Sequence, residues 1–273
     1  MTDIHSENLD AAISDDGAAI TRDHFKPGDL CVVTGCAQGF GRAISRRLAR
    51  EGARLAVWDL LDEKGEETAS QCREAGTEAE YFHCDMSEPD DIATAAAAVI
   101  ERFGPAYAVI NNAGINLRTP AIDHPLEMWN KTLAVNLVGS FLCSQAFARE
   151  MIKVGRGAII NLASGRAIEG APNSIAYAAS KAGIIAMAKT LASEWAGYGI
   201  RVNTIVPGVS ETRQPLEAGG TLEELRERGK GIPLGRVGHP DDIAGMVMLL
   251  LSEDAGYITG QAMAINGGRL MLP

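Results

Sequence analysis

The chain has 273 residues, 46% of them hydrophobic, which suits one large α/β domain with an ample buried core. A formal net charge of −10 argues against nucleic acid or an anionic membrane surface as the main partner. The longest apolar stretch, Ile243 to Leu251, is too short to span a bilayer, so no membrane segment is expected.

In chain order, residues 1–25 come first: polar and acidic, with Asp3, Glu7, Asp10, Asp15, Asp16 and Asp23. They lack the basic start and apolar stretch of a signal peptide, which predicts a flexible, solvated tail on a cytoplasmic protein. A tail folding over a neighbouring subunit is the alternative. Residues 26–273 then read as a single domain, because no linker, repeat or low-complexity tract divides them.

The apolar run from Leu30 to Thr34 ends in a turn with glycines at 35, 39 and 41, and a helical pattern (Ile44, Leu48, Ala49) follows. Glycine allows positive φ and close backbone approach, and the next helix presents free N–H groups and a positive dipole end to a pyrophosphate. A second strand, Arg54 to Asp59, ends in a carboxylate 18 residues after Gly41. A dinucleotide fold needs an acid there for the adenosine ribose hydroxyls.

Strands are predicted at about 29–35, 53–59, 79–84, 106–111, 157–163, 200–206 and 261–266, with helical patterns between them. Near-continuous apolar runs such as Ala158 to Ala163 suit a parallel sheet buried on both faces. The expected fold class is therefore α/β: a doubly wound Rossmann domain with a seven-stranded parallel sheet, helices on both faces and a ligand crevice at the strands' carboxyl ends.

His83-Cys84-Asp85 reads as the end of a buried strand rather than a ligand cluster, and no His, Cys or carboxylate set has metal-ligand spacing, so no metal is implied. Five scattered cysteines (31, 36, 72, 84 and 143) without a C-x-x-C read as reduced, buried thiols.

Further on, Ser164 precedes Tyr177 by thirteen residues, and Lys181 follows by four. A helix over 174–197 would put Tyr177 and Lys181 on one face, one turn apart. A phenol titrating near ~10 is a poor proton shuttle at neutral pH, and an adjacent cation lowers that value toward working pH. Residues 209–235 are polar and Gly-rich around a helical core at 221–226, which reads as a solvated surface excursion. His239 to Ala244 reads as a helix start with acids in its first turn.

Together these pieces resemble the short-chain dehydrogenase/reductase family from about Lys26 to Gly268. Its Thr-Gly-x-x-x-Gly-x-Gly motif is met by Thr34, Gly35, Gly39 and Gly41, and its Asn-Asn-Ala-Gly motif by Asn111 to Gly114. The family's catalytic Asn, Ser, Tyr and Lys correspond to Asn136, Ser164, Tyr177 and Lys181. Its Pro-Gly motif is Pro207-Gly208, with Thr212 where the nicotinamide carboxamide is often contacted. Ala163 departs from the pattern, since a second Ser is frequent there.

The resemblance implies hydride transfer between a nicotinamide C4 and a carbonyl or carbinol carbon, with Tyr177 as acid/base, Ser164 steering the substrate oxygen and Asn136 holding a relay water. It also implies coenzyme contacts at Gln38, Phe40, Asp85, Met86, Asn112, Ala113, Gly114, Tyr177 and Lys181. Substrate positions implied in the same way are Asn116, Leu117, Arg118, Arg166, Glu169 and Asn173, together with Val209 to Leu216 of a mobile lid at about 209–235 that closes on ligand. Asp59, followed by Leu60-Leu61 rather than a basic residue, favours NAD over NADP. The expected partners are a small alcohol or ketone and, by family habit, further copies of the chain in a homotetramer, or a dimer, built on the helices holding Asn136 and Tyr177. Competing readings are a 3-oxoacyl-acyl-carrier-protein reductase and a catalytically silent dinucleotide-sensing protein. The G-x-x-G-x-x-G of extended-family epimerases is absent.

Overall fold

The computed structural model describes residues 24–212 and 221–271. The expected acidic tail therefore lies outside the described residues up to position 23, as do positions 213–220 of the expected lid.

Seven parallel strands form one sheet in the order β3-β2-β1-β4-β5-β6-β7. They are β1 (Leu30–Thr34), β2 (Arg54–Asp59), β3 (Ala79–His83), β4 (Ala108–Asn111), β5 (Gly157–Leu162), β6 (Ile200–Pro207) and β7 (Ala262–Ile265). The strand order reverses between β1 and β4, so the loops after these two diverge and open a crevice at their carboxyl ends.

The helices are α1 (Gly39–Arg50), α2 (Asp62–Glu74), α3 (Pro89–Phe103), α4 (Leu126–Leu133), α5 (Gly139–Val154), α6 (Arg166–Glu169), α7 (Ile175–Trp195), α8 (Leu222–Gly229) and α9 (Pro240–Leu251). Alternate strand residues face opposite layers, as the period of two demands. Val32, Ala56 and Trp58 pack with Val99 of α3, Phe147 of α5 and Leu191 of α7. Val33, Leu55 and Val57 pack with Leu48 of α1, Cys72 of α2 and Val247 of α9.

Both terminal strands are edges, and β3 departs from the sequence reading. Past the buried Ala79 its side chains are only partly covered, and His83 is exposed, its Nδ1 lying 2.6 Å from Asp62 Oδ1. His83 does not end a buried strand: β3 has a neighbour on one side only, and the core is reached by Ala79 at its start and by Cys84 just beyond its end.

The small residues of α7 face both ways. Ala176 is buried and a Cβ on Gly183 would press on Leu137, whereas Ala182 and Ala186 face outward. All five cysteines are free and buried, and burial pushes the Cys72 and Cys84 thiols up to about 11 and about 12. Among the described residues no helix is long and apolar enough to cross a membrane, and no group of three His, Cys, Asp or Glu could hold a metal ion.

Candidate active site

The crevice is a cleft of about 720 Å³ at the carboxyl ends of the strands. From the β1 side it is lined by Gly35, Gln38, Gly39, Phe40 and Asp59, and from the β3 loop by Asp85 and Met86. Asn112, Ala113, Gly114, Asn116, Leu117 and Arg118 follow from the β4 loop. Tyr177 and Lys181 of α7, with Pro207 and Thr212 after β6, close the far wall. Gly41, Gly208, Asn136, Ser164, Arg166 and Glu169 lie outside this lining.

The glycines explain how the β1 turn and β4 loop meet. Gly35 has φ +68°, and a Cβ there would come 2.8 Å from the Ala113 Cα. A Cβ on Gly41 would overlap the Gly35 carbonyl oxygen, so Gly41 shapes the turn from behind rather than facing the cleft. Gly208 does the same against Asn266, where a Cβ would sit 2.6 Å from the asparagine Cβ. The Thr34 hydroxyl accepts the Asn112 and Ala113 N–H groups, both at 3.1 Å, while Asn112 Nδ2 donates to the Thr34 and Gly35 carbonyls.

Asp59 is held by two backbone donors: Ala37 N–H to Oδ2 at 2.8 Å and Leu61 N–H to Oδ1 at 3.0 Å. The carboxylate therefore faces the cleft in a fixed orientation, with aliphatic Leu60 and Leu61 beside it. Behind it, the Tyr81 hydroxyl lies 2.8 Å from the Asp59 carbonyl and 2.7 Å from Asp62 Oδ1. Hydrogen bonds from His83 and then Tyr81 hold the Asp62 carboxyl below its ordinary range. Asp85 accepts from both the N–H and the hydroxyl of Ser87.

At the other end of the cleft, Tyr177 and Lys181 are both buried. Lys181 Nζ lies 5.7 Å from the Tyr177 ring centroid and donates to the Leu162 carbonyl at 2.7 Å. Burial lowers the Lys181 pKa to about 8.

Asn136 sits in a π-helical turn, Ala134–Val138, between α4 and α5. Its amide clasps the β4 loop: Oδ1 accepts the Ile115 N–H at 2.8 Å, and Nδ2 donates to the Ile115 carbonyl and to Ser180 Oγ, each at 3.0 Å. Its backbone carbonyl accepts the Ser140 hydroxyl. A Cβ on Gly114 would fall 3.2 Å from Lys181 Nζ and 3.3 Å from Asn136 Oδ1, so this glycine keeps space open between them.

Ser164 Oγ accepts the Arg166 N–H at 3.3 Å, Arg166 Nη1 donates to Ser174 Oγ, and Glu169 pairs with Arg269. Asn116 Oδ1 is buried without a hydrogen-bond partner among the described residues, an unmet acceptor at the cleft wall.

A family model described as Enoyl-(Acyl carrier protein) reductase matches residues 35–269. D-threitol dehydrogenase of Mycolicibacterium smegmatis is 39% identical over 88% of this chain and 92% of its own. The 3-oxoacyl-acyl-carrier-protein reductase FabG of Thermotoga maritima is 35% identical over 88% of this chain and 97% of its own. The solved structure of an NAD+-bound xylitol dehydrogenase superposes with a TM-score of 0.82 at 32% identity, covering 89% of this chain and all of the other.

The chain belongs to the short-chain dehydrogenase/reductase family. The residues present fit the nicotinamide dinucleotide that a short-chain dehydrogenase/reductase uses. Among the described residues no side chain caps the first turn of α1, Gly35 and Gly41 sit where a Cβ would clash, and Asp59 stands fixed at the end of β2. Leu60, Leu61, Ile115, Met128, Lys131 and Val135 also line the cleft. Sequence motifs could not single these out, because each owes its place to the element next to a motif.

Proposed function

We propose that this short-chain dehydrogenase/reductase interconverts a secondary alcohol and a ketone with NAD(H), using Tyr177 as general acid/base. The observation that carries the reading is the buried Lys181 ammonium beside the Tyr177 ring. When bound, the nicotinamide would accept or supply the hydride.

In oxidation Tyr177 takes the carbinol proton through its phenolic oxygen; in reduction it returns a proton to the carbonyl oxygen. Lys181, charged at neutral pH, favours the phenolate through a low-dielectric gap of a few ångströms. Asn136 holds the β4 loop against α7 through Ile115 and Ser180. Since its side-chain amide is engaged there, the backbone carbonyl is the group with which it would hold a relay water, sharing that oxygen with Ser140. Ser164, at the carboxyl end of β5, orients the substrate oxygen toward Tyr177.

Asp59 supports NAD over NADP. Its fixed carboxylate suits the ribose 2′-OH and repels a 2′-phosphate, and neither Leu60 nor Leu61 offers a compensating charge. The 3-oxoacyl-acyl-carrier-protein reductase reading draws support from FabG, but Asp59 and a net charge of −10 weigh against an NADPH enzyme docking an acidic carrier. A silent dinucleotide sensor would have no need of the Tyr177–Lys181 pair.

The test is Tyr177→Phe. Folding by circular dichroism and NADH affinity should survive, while turnover of secondary alcohols, followed by nicotinamide absorbance, falls by roughly 10²- to 10⁴-fold. Unchanged turnover would sink the proposal.

A further inference from the structure

Beside Tyr177, just outside the cleft lining, stands a cation that hydride transfer to a neutral alcohol does not call for. Arg166 opens α6, half-buried, with its guanidinium carbon 5.9 Å from the Tyr177 ring centroid. Nη1 donates to Ser174 Oγ at 2.9 Å, and Ser174 is itself fully buried, so the guanidinium is anchored beside the acid/base ring. Its remaining side-chain N–H groups have no hydrogen-bond partner among the described residues.

Burial lowers the Arg166 pKa. The Tyr177 side chain opposes that shift, while Arg118, Arg228 and Arg269 add to it by like-charge repulsion. Three more guanidiniums therefore stand within electrostatic reach, from the β4 loop, the last turn of α8 and the segment after β7. Arg269 reaches Glu169 at 3.5 Å, but Arg118 and Arg228 have no ion-pair partner among the described residues.

The rest of the surface behaves otherwise. Arg42 pairs with Glu67, Arg102 with Glu78, Arg226 with Glu211 and Arg236 with Asp242. In a chain of net charge −10, carboxylates are plentiful. Arg166 beside the acid/base tyrosine, with Arg118, Arg228 and Arg269 around it and Glu169 the one carboxylate paired among them in the described residues, is under-neutralised by comparison. A guanidinium presents a planar fork that matches a carboxylate bidentately.

We propose that the substrate carries a carboxylate within a few bonds of the reacting carbon, as in a hydroxy acid and its oxo acid, and that Arg166, Arg118 and Arg228 bind it. This deepens the alcohol–ketone reading and rests on it. Arg166 sets the distance between the anion and the reacting oxygen, because it alone of the three is anchored against the Tyr177 ring. The flanking cations draw the anion in and shield it.

The test measures binding of small carboxylates to the NADH complex of the full-length enzyme by calorimetry, with malonate and tartronate set against the neutral isosteres propane-1,3-diol and glycerol. It is paired with rates on glycerate and threonate against glycerol and threitol. The wild-type protein should favour each acid by tenfold or more. Arg166→Met and the double variant Arg118→Gln/Arg228→Gln should each reduce that preference by about tenfold, the loss of one charge-assisted hydrogen bond. NADH affinity, measured in the same samples, should hold.

Neutral compounds bound and turned over as well as the acids, or a preference untouched in both variants, would overturn the inference while leaving Tyr177-dependent alcohol chemistry in place. A wild-type protein that binds no NADH would overturn the underlying function and the inference with it.

Discussion

Replacing Lys181 with Met should abolish turnover and at the same time stabilise the fold. Lys181 is 3% exposed, and burial lowers its pKa from 10.5 to about 8. Near neutral pH the ammonium is charged in both the folded and the unfolded chain, and holding it inside is unfavourable. At roughly 1.4 kcal/mol per tenfold change in proton affinity, the cost is about 3 kcal/mol.

The sign follows from proton counts. Between about pH 8 and 10.5 the unfolded chain binds a proton that the native state has released, so native stability rises with pH across that window. Below about pH 8 the full penalty applies. Methionine removes it but leaves the Leu162 carbonyl, now bonded to Nζ, without its donor, which costs about 1 kcal/mol. The net expectation is a gain of about 2 kcal/mol near neutral pH, or a melting rise of roughly 5 °C for a chain of this size.

Thermal melts of the coenzyme-free proteins at several pH values test this. The Met variant should lead near neutrality, and its advantage should shrink as pH climbs through the window. A variant that melts at or below the wild type near neutral pH, or a difference insensitive to pH, would refute the claim that the charge is held against its solvation preference. Catalytic residues commonly carry such a conflict between stability and activity.

Asp59→Ala should raise the KM for NAD+ and narrow the NAD/NADP preference in comparative kinetics. It should also destabilise the protein by about 1–3 kcal/mol in urea unfolding, because the Ala37 and Leu61 N–H groups lose their acceptor. Gly41→Ala should lower NADH affinity at least tenfold by calorimetry, since its methyl overlaps the Gly35 carbonyl and must displace the turn. For the expected homotetramer, light scattering of the wild type should give four copies. Val138→Glu, at a position 45% exposed at the end of the Asn136 turn, should yield a smaller species.

The sheet and the motifs were legible because a few short-range rules generate them. Apolar runs such as Leu30–Thr34 and Gly157–Leu162 are buried along their whole length, as strands covered on both faces must be. The helix expected at 174–197 appears as Ile175–Trp195, followed by a 3₁₀ turn at Ala196–Tyr198; termini of this kind shift by a residue or two with local hydrogen bonding. Tyr177 and Lys181 share one face because four residues make about one turn. The capping box that starts α9 at His239 follows from Asp242 three residues on.

What the chain does not spell out locally is which long-range partner each polar group meets. Asn136 reads as one more amide on a helix. Its bonds to Ile115, 21 residues back, coincide with the π-helical turn that separates α4 from α5. His83 looked buried because an edge strand carries the same residues as a central one, and only the sheet order reveals that β3 lacks a neighbour. Arg228 and Arg269 belong to no motif, and no spacing rule links them to Arg166 or to each other. Arg269 approaches Arg166 because the segment after β7 folds back over the carboxyl end of β5, where Leu270 packs 3.7 Å from a Cβ built on Gly165 and Arg269 reaches Glu169 of α6. Motif residues thus report the chemistry a fold shares across its members. The charges that choose among substrates come from segments between the motifs, where position is set by the assembled tertiary structure and not by neighbouring sequence.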